Sequence, residues 1–544
     1  MDADRIALVS VNPVMGDFAG NREKLRLALA RAAARGAGLV VFPELALCGY
    51  PPEVLLYKRT FLRANEAALA DLAAATQDGP PAVVGFARLV EGKPRNAAAW
   101  LAGGHIAAVY DKRELPNYGV FDEKRYFSPG AAPIVMTWQG RRVGLTLCED
   151  AWVPGNPVSE DLRGSTDLIL NLAASPFHAG KGDERLAQLS RFARETGAPV
   201  VYVNLLGGQD ELVFDGGALA VDAGGNLLGA GPRFTETPWI VPVPGTGADF
   251  PKAPPALDRL GEIRRALETG LRDYVRKNGF DTVVIGLSGG IDSAFTAVLA
   301  ARALGAAHVK GVTMPSQYSS AGTREDARLL AANLGVELMT VPIEGMMAAF
   351  RDVLDPLLGS GEPGTALENL QARIRGTILM TLSNRHGWLV VTTGNKSETA
   401  VGYCTLYGDM AGGFAPIKDV PKTLVYQLAE RVNAEAGSAL IPERTLRRAP
   451  SAELRPGQRD EDALPPYERL DPVLEAYVEQ DRGLEEMIAA GFDGDTVLDV
   501  MNRVDHSEYK RRQSPPGVKI TPRAFGRDRR LPVTNRFHPA GYTE

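Results

Sequence analysis

Cysteine is scarce in this sequence of 544 residues. The three cysteines, Cys48, Cys148 and Cys404, lie far apart along the chain. Such a sparse and odd-numbered set does not make a disulfide framework, and it lacks the closely spaced pairs of a zinc site. We therefore expect a protein of a reducing compartment.

Long apolar runs and an excess of positive charge are also missing. No uninterrupted apolar stretch approaches the length of about 18 residues that would cross a bilayer. Residues 1–13 show no basic region followed by an apolar core. The formal net charge is −6, so no basic field would attract a nucleic-acid backbone. We expect a cytoplasmic protein that binds neither membrane nor nucleic acid, and these absences still leave room for a local nucleotide site.

The composition that is present, 45% hydrophobic and 23% charged residues, is that of a globular protein, and the length allows two large domains. Up to residue 245, strand-like segments outnumber helices and several are joined by Gly-containing hairpin turns, which favours a mixed sheet. A stretch rich in Pro and Gly follows. Beyond it, apolar strands alternate with long helices, as in a parallel sheet covered by helices. We predict domains at 1–245 and 258–544, joined by a linker at 246–257.

A Gly-rich motif between a strand (TVVIGL) and an apolar helix is the sharpest signal. It consists of Gly286, Leu287, Ser288, Gly289, Gly290, Ile291, Asp292 and Ser293. The glycines let backbone N–H groups converge on phosphate oxygens, the serines add hydroxyl donors, and the helix contributes its positive end. A carboxylate beside a pyrophosphate is repulsive unless a divalent ion bridges them, so Asp292 is a candidate Mg²⁺ ligand. The alternative is a Gly-rich helix N-terminus in which Asp and Ser act only as caps.

This motif resembles the pyrophosphatase loop of ATP enzymes that release AMP and pyrophosphate. Further segments are similar to those of the NAD synthetase family: MPSQYSS (314–320), ENLQARIRG (368–376), TTGNKSE (392–398), YGDMAGGFAPIKDVPKT (407–423) and YKRRQSPPGVKIT (509–521). The resemblance implies a doubly wound parallel sheet. It also implies a reaction in which the carboxylate of deamido-NAD attacks the α-phosphate of ATP, and ammonia then displaces AMP.

The same resemblance implies roles for single residues. ATP contacts would include Thr393 and Lys422 besides residues 286–293, and Glu398 would join Asp292 as a magnesium ligand. Contacts to deamido-NAD would fall on Asn369, Arg373, Glu398, Asp409 and Lys510. Taken alone, each of these could be a solvated surface charge or part of a helix ion pair. The polar segment 437–466 is expected to be a mobile loop, a common form of active-site lid.

In the first domain, Glu44, Lys112 and Cys148 each stand at or just after a strand-like segment. Strand ends of a rigid sheet can present a base, a cation and a nucleophile to one pocket. A free Cys is only a few per cent thiolate at neutral pH, so a carboxylate must take its proton. We interpret Glu44 as that base and Lys112 as the cation that stabilises the thiolate and then the oxyanion.

This set resembles the nitrilase, or carbon–nitrogen hydrolase, superfamily over residues 4–243, which implies an α-β-β-α sandwich. The segment EKRYFSPG then implies a supporting carboxylate at Glu123. Glutaminase domains of NAD synthetases imply glutamine contacts at Tyr118, Ser175 and Lys181. No His lies near Cys148 in the sequence, which argues against a Cys–His glutaminase of the GMP synthetase type.

Together the two halves predict an enzyme that frees ammonia from glutamine and uses it, with ATP and Mg²⁺, to amidate deamido-NAD. Holding both centres in one assembly raises the effective concentration of ammonia. The resemblance also implies a homo-oligomer. Two alternatives stay open: an amidotransferase acting on another acid, and a catalytically inactive nucleotide sensor.

Overall fold

A computed structural model describes residues 4–358 and 364–537, and the chain divides into two units at Asp258. Residues 246–257 contain neither helix nor strand. Among the described residues, no helix is both long and apolar enough to cross a membrane.

The first unit is built mainly of strands. These are β1 (Arg5–Leu8), β2 (Leu39–Val41), β3 (Ala82–Val90), β4 (Lys93–Ala102), β5 (His105–Asp111), β6 (Val135–Trp138), β7 (Arg141–Leu147), β8 (Leu168–Ala173), β9 (Val200–Asn204), β10 (Leu206–Gln209), β11 (Leu212–Asp215), β12 (Ala218–Val221), β13 (Leu227–Ala230) and β14 (Trp239–Pro242). Its helices are α1 (Phe18–Ala34), α2 (Arg59–Ala73), α3 (Glu123–Tyr126), α4 (Pro157–Leu162) and α5 (Lys181–Thr196). Shorter 3₁₀ turns occupy Glu53–Tyr57, Ala74–Thr76 and Cys148–Ala151.

Two mixed six-stranded sheets, β14-β1-β2-β3-β4-β5 and β13-β12-β9-β8-β7-β6, lie face to face in this unit. Side chains of β1 alternate between the two faces of its sheet. Ile6 and Leu8 pack between the sheets against Leu145 and Leu170, whereas Ala7 faces the layer of α1 and α2. Helix α5 covers the outer face of the second sheet. The predicted α-β-β-α sandwich is therefore confirmed.

The second unit contains a parallel sheet of four strands in the order β17-β16-β15-β18, namely β15 (Val283–Gly286), β16 (Val309–Thr313), β17 (Glu337–Thr340) and β18 (Leu389–Val391). Its helices are α6 (Arg259–Lys277), α7 (Ile291–Leu304), α8 (Ala321–Leu334), α9 (Glu344–Leu358), α10 (Thr365–His386), α11 (Lys396–Val401), α12 (Lys422–Ala436), α13 (Glu443–Arg447), α14 (Tyr467–Leu474), α15 (Leu484–Ala489), α16 (Gly494–His506) and α17 (Glu508–Arg511). Short 3₁₀ turns lie at Ala306–His308 and Asp460–Asp462, and a π turn lies at Glu475–Glu479.

Valines on neighbouring strands of this sheet pack against the same helix. Val284, Val312 and Val390 pack against Ile374 and Leu379 of α10. Helix α7 also contacts β15 and β16. The expected helix-covered parallel sheet is thus confirmed, and its strands share one carboxyl edge, where ligands bind in folds of this kind.

The expectation for residues 437–466 needs correction. This segment is not a loop without structure, because it contains α13 and the 3₁₀ turn Asp460–Asp462. Arg448 at the end of α13 donates to the carbonyl of Gly289 (3.4 Å). The segment is therefore anchored to the Gly-rich motif.

Two candidate active sites

The first site gathers residues from both sheets of the sandwich. Glu44 lies three residues beyond β2, Lys112 directly after β5, and Cys148 directly after β7. Lys112 Nζ donates to Glu44 Oε1 (2.7 Å) and to Glu123 Oε1 (2.9 Å). All four side chains are buried, and the charges of Glu44 and Lys112 both act on the Cys148 thiol. The fold therefore places in one pocket the four residues that the sequence analysis assigned to one site.

The electrostatics of this pocket keep the ammonium charged and the thiol protonated. Burial lowers the pKa of Lys112, but the carboxylates of Glu123 and Glu44 raise it more, so it lies well above its ordinary value. Burial, followed by the charge of Glu44, raises the pKa of the Cys148 thiol well above its usual range. The thiolate must therefore form during attack, by proton transfer to a base, instead of being stored in advance.

Several hydrogen-bond donors hold the carboxylates of Glu44, the proposed base, and Glu123. Asn96 Nδ2 donates to Glu44 Oε1 (2.7 Å), and the N–H of Ala174 donates to Glu44 Oε2 (2.8 Å). The Tyr50 hydroxyl donates to Glu123 Oε1 (2.9 Å). Burial raises the pKa of Glu123 to about 7, against the opposing effect of Lys112. Fixing both oxygens of Glu44 orients it for proton transfer.

Backbone geometry at this site is tight. Cys148 has a φ of +38°, a conformation that is strained for a residue with a side chain and that occurs often at functional sites. A Cβ on Gly85 in β3 would lie 2.3 Å from the carbonyl oxygen of Pro43. Only glycine thus lets β3 pass so close to the turn that carries Glu44.

Two of the three predicted glutamine contacts lie next to residues of the cysteine cluster: Tyr118 contacts Glu149, which follows Cys148, and Ser175 follows Ala174, whose N–H donates to Glu44. The Tyr118 hydroxyl donates to the Glu149 carboxylate (3.0 Å), next to the nucleophile in sequence. The backbone carbonyl of Ser175 accepts from Arg185 Nη2 (2.8 Å), and Ser175 Oγ accepts from Arg185 Nε (3.2 Å). Lys181 donates to Glu184 (2.9 Å), with its ammonium 4.2 Å from the centre of the Trp152 ring.

The second site is a cavity of about 310 Å³ at the carboxyl edge of the parallel sheet. All residues of the Gly-rich motif line it, together with Thr393 and Lys422, and so do Glu398 and Asp409. Gly289 has a φ of +83°, and a Cβ there would lie 2.2 Å from the carbonyl oxygen of Thr323. The motif therefore turns sharply at Gly289, and α7, whose N-terminus can bind anions, begins beside the cavity at Ile291.

Three charged side chains meet in this cavity. Lys422 Nζ donates to Asp292 Oδ2 and to Glu398 Oε1, the latter at 3.3 Å. Burial raises the pKa of Glu398 to about 8, against the effect of Lys422. Burial lowers the pKa of Lys422 but Asp292 and Glu398 raise it more, so its pKa lies above the ordinary value.

The carboxylates of this cavity suit a hard divalent cation. In the residues described, no group of three or more His, Cys, Asp or Glu side chains is arranged to hold a metal by itself. Two partly buried carboxylates, Asp292 and Glu398, nevertheless supply the kind of oxygen ligand that Mg²⁺ uses when substrate phosphates and water complete its shell. The residues present therefore fit the group that the sequence implied.

Four of the predicted deamido-NAD contacts hold one loop, residues 402–409. Asn369 Oδ1 accepts from the Thr405 hydroxyl (2.7 Å), and Asp409 accepts from the Thr405 N–H (2.6 Å). Arg373 Nε donates to the carbonyl of Leu406 (3.2 Å). Lys510 Nζ donates to the carbonyls of residues 402 and 404 (2.6 and 2.8 Å). This loop borders a second, open cavity of about 490 Å³ next to α10.

Sequence reasoning missed other residues of the second site. Arg375 lines the cavity, donates from Nε to the carbonyl of Met314 (3.1 Å), and has its pKa lowered to about 10 by burial. Asp460, Tyr403 and Arg448 also line it. The segment ENLQARIRG contained Arg375, but nothing in its spacing distinguished this arginine from its neighbours.

Comparison with known protein families gives two matches that together span most of the chain. Residues 5–247 match the carbon-nitrogen hydrolase family, and residues 263–514 match the NAD synthase family. The boundary between these ranges falls within residues 248–262, which include most of the segment that contains neither helix nor strand.

Curated relatives match over nearly the whole length. A glutamine-dependent NAD(+) synthetase of Thermotoga maritima is 48% identical, with 98% of this chain and 99% of that protein covered. One from Synechocystis is 42% identical at the same coverage. Among solved structures, the glutamine-dependent NAD+ synthetase of Acinetobacter baumannii in complex with ADP is 40% identical, covers 98% of both chains and superposes with a TM-score of 0.78.

Proposed function

This chain belongs to the glutamine-dependent NAD(+) synthetase family, and we propose the residues that carry out each half of its reaction. The enzyme takes the amide nitrogen of glutamine and uses ATP to convert deamido-NAD into NAD, with release of glutamate, AMP and pyrophosphate. The observation that supports the assignment most strongly is the presence of two chemically distinct sites: a buried Glu44–Lys112–Cys148 cluster and a phosphate loop with Asp292 and Lys422.

Glutamine hydrolysis takes place at Cys148. Its Sγ attacks the amide carbon of glutamine while Glu44 accepts the thiol proton, and Lys112 stabilises the oxyanion by an amount on the order of 3 kcal/mol. Glu44 returns the proton to the departing nitrogen, which leaves as ammonia. Water activated by Glu44 then hydrolyses the thioester to glutamate and restores the thiol. Glu123 holds Lys112 in place from the other side.

The acceptor is activated in the second cavity. The backbone N–H groups of residues 286–293 hold the phosphates of ATP, and Lys422 offsets their negative charge. The nicotinate carboxylate of deamido-NAD attacks the α-phosphate and pyrophosphate leaves; ammonia then displaces AMP from the mixed anhydride. Asp292 and Glu398 would hold Mg²⁺, which would neutralise charge on the phosphates.

We infer the substrate contacts from the family resemblance of the segments that contain them. Tyr118, Ser175 and Lys181 would bind glutamine around the cysteine pocket, with Glu149 as a further polar contact. The residues assigned to deamido-NAD are Asn369, Arg373, Glu398, Asp409 and Lys510. We also propose that the enzyme acts in the cytoplasm as a homo-oligomer.

The test is a product balance. Purified protein is supplied with ATP, Mg²⁺, glutamine and deamido-NAD, and NAD, AMP, pyrophosphate and glutamate are measured together. Equal appearance of all four is the expected result. Glutamate without NAD would overturn the assignment of the acceptor and direct the search to other carboxylic acids.

A further inference from the structure

The side chain of Asn395 connects two carboxylates that belong to different elements. Asn395 is fully buried and is the N-cap of α11. Its Oδ1 accepts from the backbone N–H of Glu398 (3.0 Å), and its Nδ2 donates to Asp292 Oδ1 (3.0 Å) at the start of α7. The side-chain amide of Asn395 thus caps α11 and also hydrogen-bonds to Asp292 of the Gly-rich motif.

Lys422 joins Asn395, Asp292 and Glu398 in one network of hydrogen bonds and ion pairs. The ammonium of Lys422 contacts the other oxygen of Asp292 and also Glu398, and the backbone N–H of Asn395 donates to Glu398 Oε2 (3.4 Å). Each oxygen of Asp292 therefore has its own donor. Lys422 also contacts the proposed phosphate site and carries a positive charge. The side-chain amide of Asn395 is neutral, so it holds Asp292 in place without adding charge.

An asparagine meets both requirements of this position. The N-cap needs an acceptor for the Glu398 N–H, and Asp292 needs a donor. A serine would keep the cap, since Ser and Asn are about equally good N-caps, but its hydroxyl sits on Cβ and is one atom too short to reach Asp292 as well. An aspartate would keep the cap and place a third carboxylate against Asp292.

We propose that Asn395 is a positioning residue for the nucleotide and cation site, which holds Asp292 and Glu398 in the orientation that a divalent cation beside the ATP phosphates requires. This proposal rests on the proposed role of those two carboxylates. Residues that orient metal-binding side chains typically change metal affinity by about 10–100-fold when they are replaced.

The experiment uses the full-length protein with Asn395→Ser and Asn395→Asp. Binding of Mn²⁺, as a probe for Mg²⁺, is followed by electron paramagnetic resonance in the presence of an ATP analogue that cannot be cleaved between its α- and β-phosphates. Both variants are expected to bind Mn²⁺ about tenfold or more weakly. In ammonia-driven synthesis, the KM for ATP should rise in parallel, whereas glutamate release from glutamine, a reaction of the first unit, should be unchanged. A circular dichroism spectrum like that of the unaltered protein checks that the second unit is folded.

Two comparison variants separate the possible outcomes. Asp493→Ser alters the exposed N-cap of α16, whose carboxylate accepts from the Thr496 N–H (2.9 Å), and should leave Mn²⁺ binding unchanged. Asp292→Asn should abolish the tight Mn²⁺ site. If Asn395→Ser binds Mn²⁺ like the unaltered protein while Asp292→Asn does not, Asn395 is only a helix cap and the proposal is overturned. If Asp292→Asn also binds normally, the assignment of the metal ligands fails together with this proposal.

Discussion

Replacement of Lys112 by methionine tests the glutaminase pocket most sharply. The Lys112 ammonium lies 2.7 Å from Glu44 and 2.9 Å from Glu123, and all three side chains are buried. Methionine is similar in length but carries no charge, so the variant leaves two buried carboxylates without this cation. Removing one partner of a buried ion pair costs about 3–5 kcal/mol, so we expect the free energy of unfolding of the first unit to fall by that order.

The Lys112→Met substitution should lower the rate of glutamine hydrolysis for two reasons. Loss of one well-placed oxyanion donor typically lowers kcat by about 10²–10³-fold. Without the ammonium, repulsion between Glu44 and Glu123 also makes the carboxylate pair bind a proton more tightly. A carboxylate pair that already holds a proton is a poorer acceptor for the Cys148 proton, so we expect glutamate release at neutral pH to fall about 10³-fold or more and to recover in part as the pH rises.

The assay is glutamate release as a function of pH, with ammonia-driven NAD synthesis measured on the same preparations. Lys310→Met is the matched control, because Lys310 pairs with Glu337 (2.8 Å) in the other unit, where Glu337 is largely exposed and such pairs contribute little. A Lys112→Met enzyme that kept more than a tenth of its kcat at neutral pH would refute this reasoning.

Three further predictions concern single positions. Gly85→Ala would place a Cβ 2.3 Å from a carbonyl oxygen of the turn that carries Glu44, so glutamate release should fall about 10²-fold while ammonia-driven synthesis is unchanged. Lys422→Met removes an ammonium from the phosphate cavity; the loss of a charge-assisted contact of about 1.5–3 kcal/mol should raise the KM for ATP roughly 10–100-fold, measured with ammonia as nitrogen donor. Because burial raises the pKa of Cys148, its alkylation by iodoacetamide should be slower than that of free cysteine at neutral pH and accelerate as the pH rises; fast, pH-independent labelling would contradict that state of the thiol.

The phosphate loop could be predicted from the sequence because its function depends on residues that are consecutive in the chain. Gly289 and Asp292 belong to one strand–turn–helix unit, whose local sequence specifies both the turn and the helix start. The mixed sheet of the first unit and the parallel sheet of the second were likewise predictable, since strand alternation and helix periodicity are local patterns, whereas the sandwich arrangement was implied only by the family resemblance.

The partners of the functional residues could not be predicted in the same way. Asn96 is 52 residues from Glu44, and Asn395 is 103 residues from Asp292. Neither asparagine stands in a pattern that reveals its distant partner, because hydrogen bonds between elements depend on how the sheets and helices are packed. Nothing in the sequence pattern indicated that Arg375 lines the cavity.

The most direct test of the central claim, that one chain carries two separable chemistries, compares two nitrogen sources in Cys148→Ala. NAD formation is measured with ATP and deamido-NAD, first with glutamine and then with ammonium chloride. We predict that the variant makes no NAD from glutamine and retains the ammonia-driven rate of the unaltered enzyme. Loss of both activities in a folded variant, or persistence of glutamine-driven synthesis, would contradict the account.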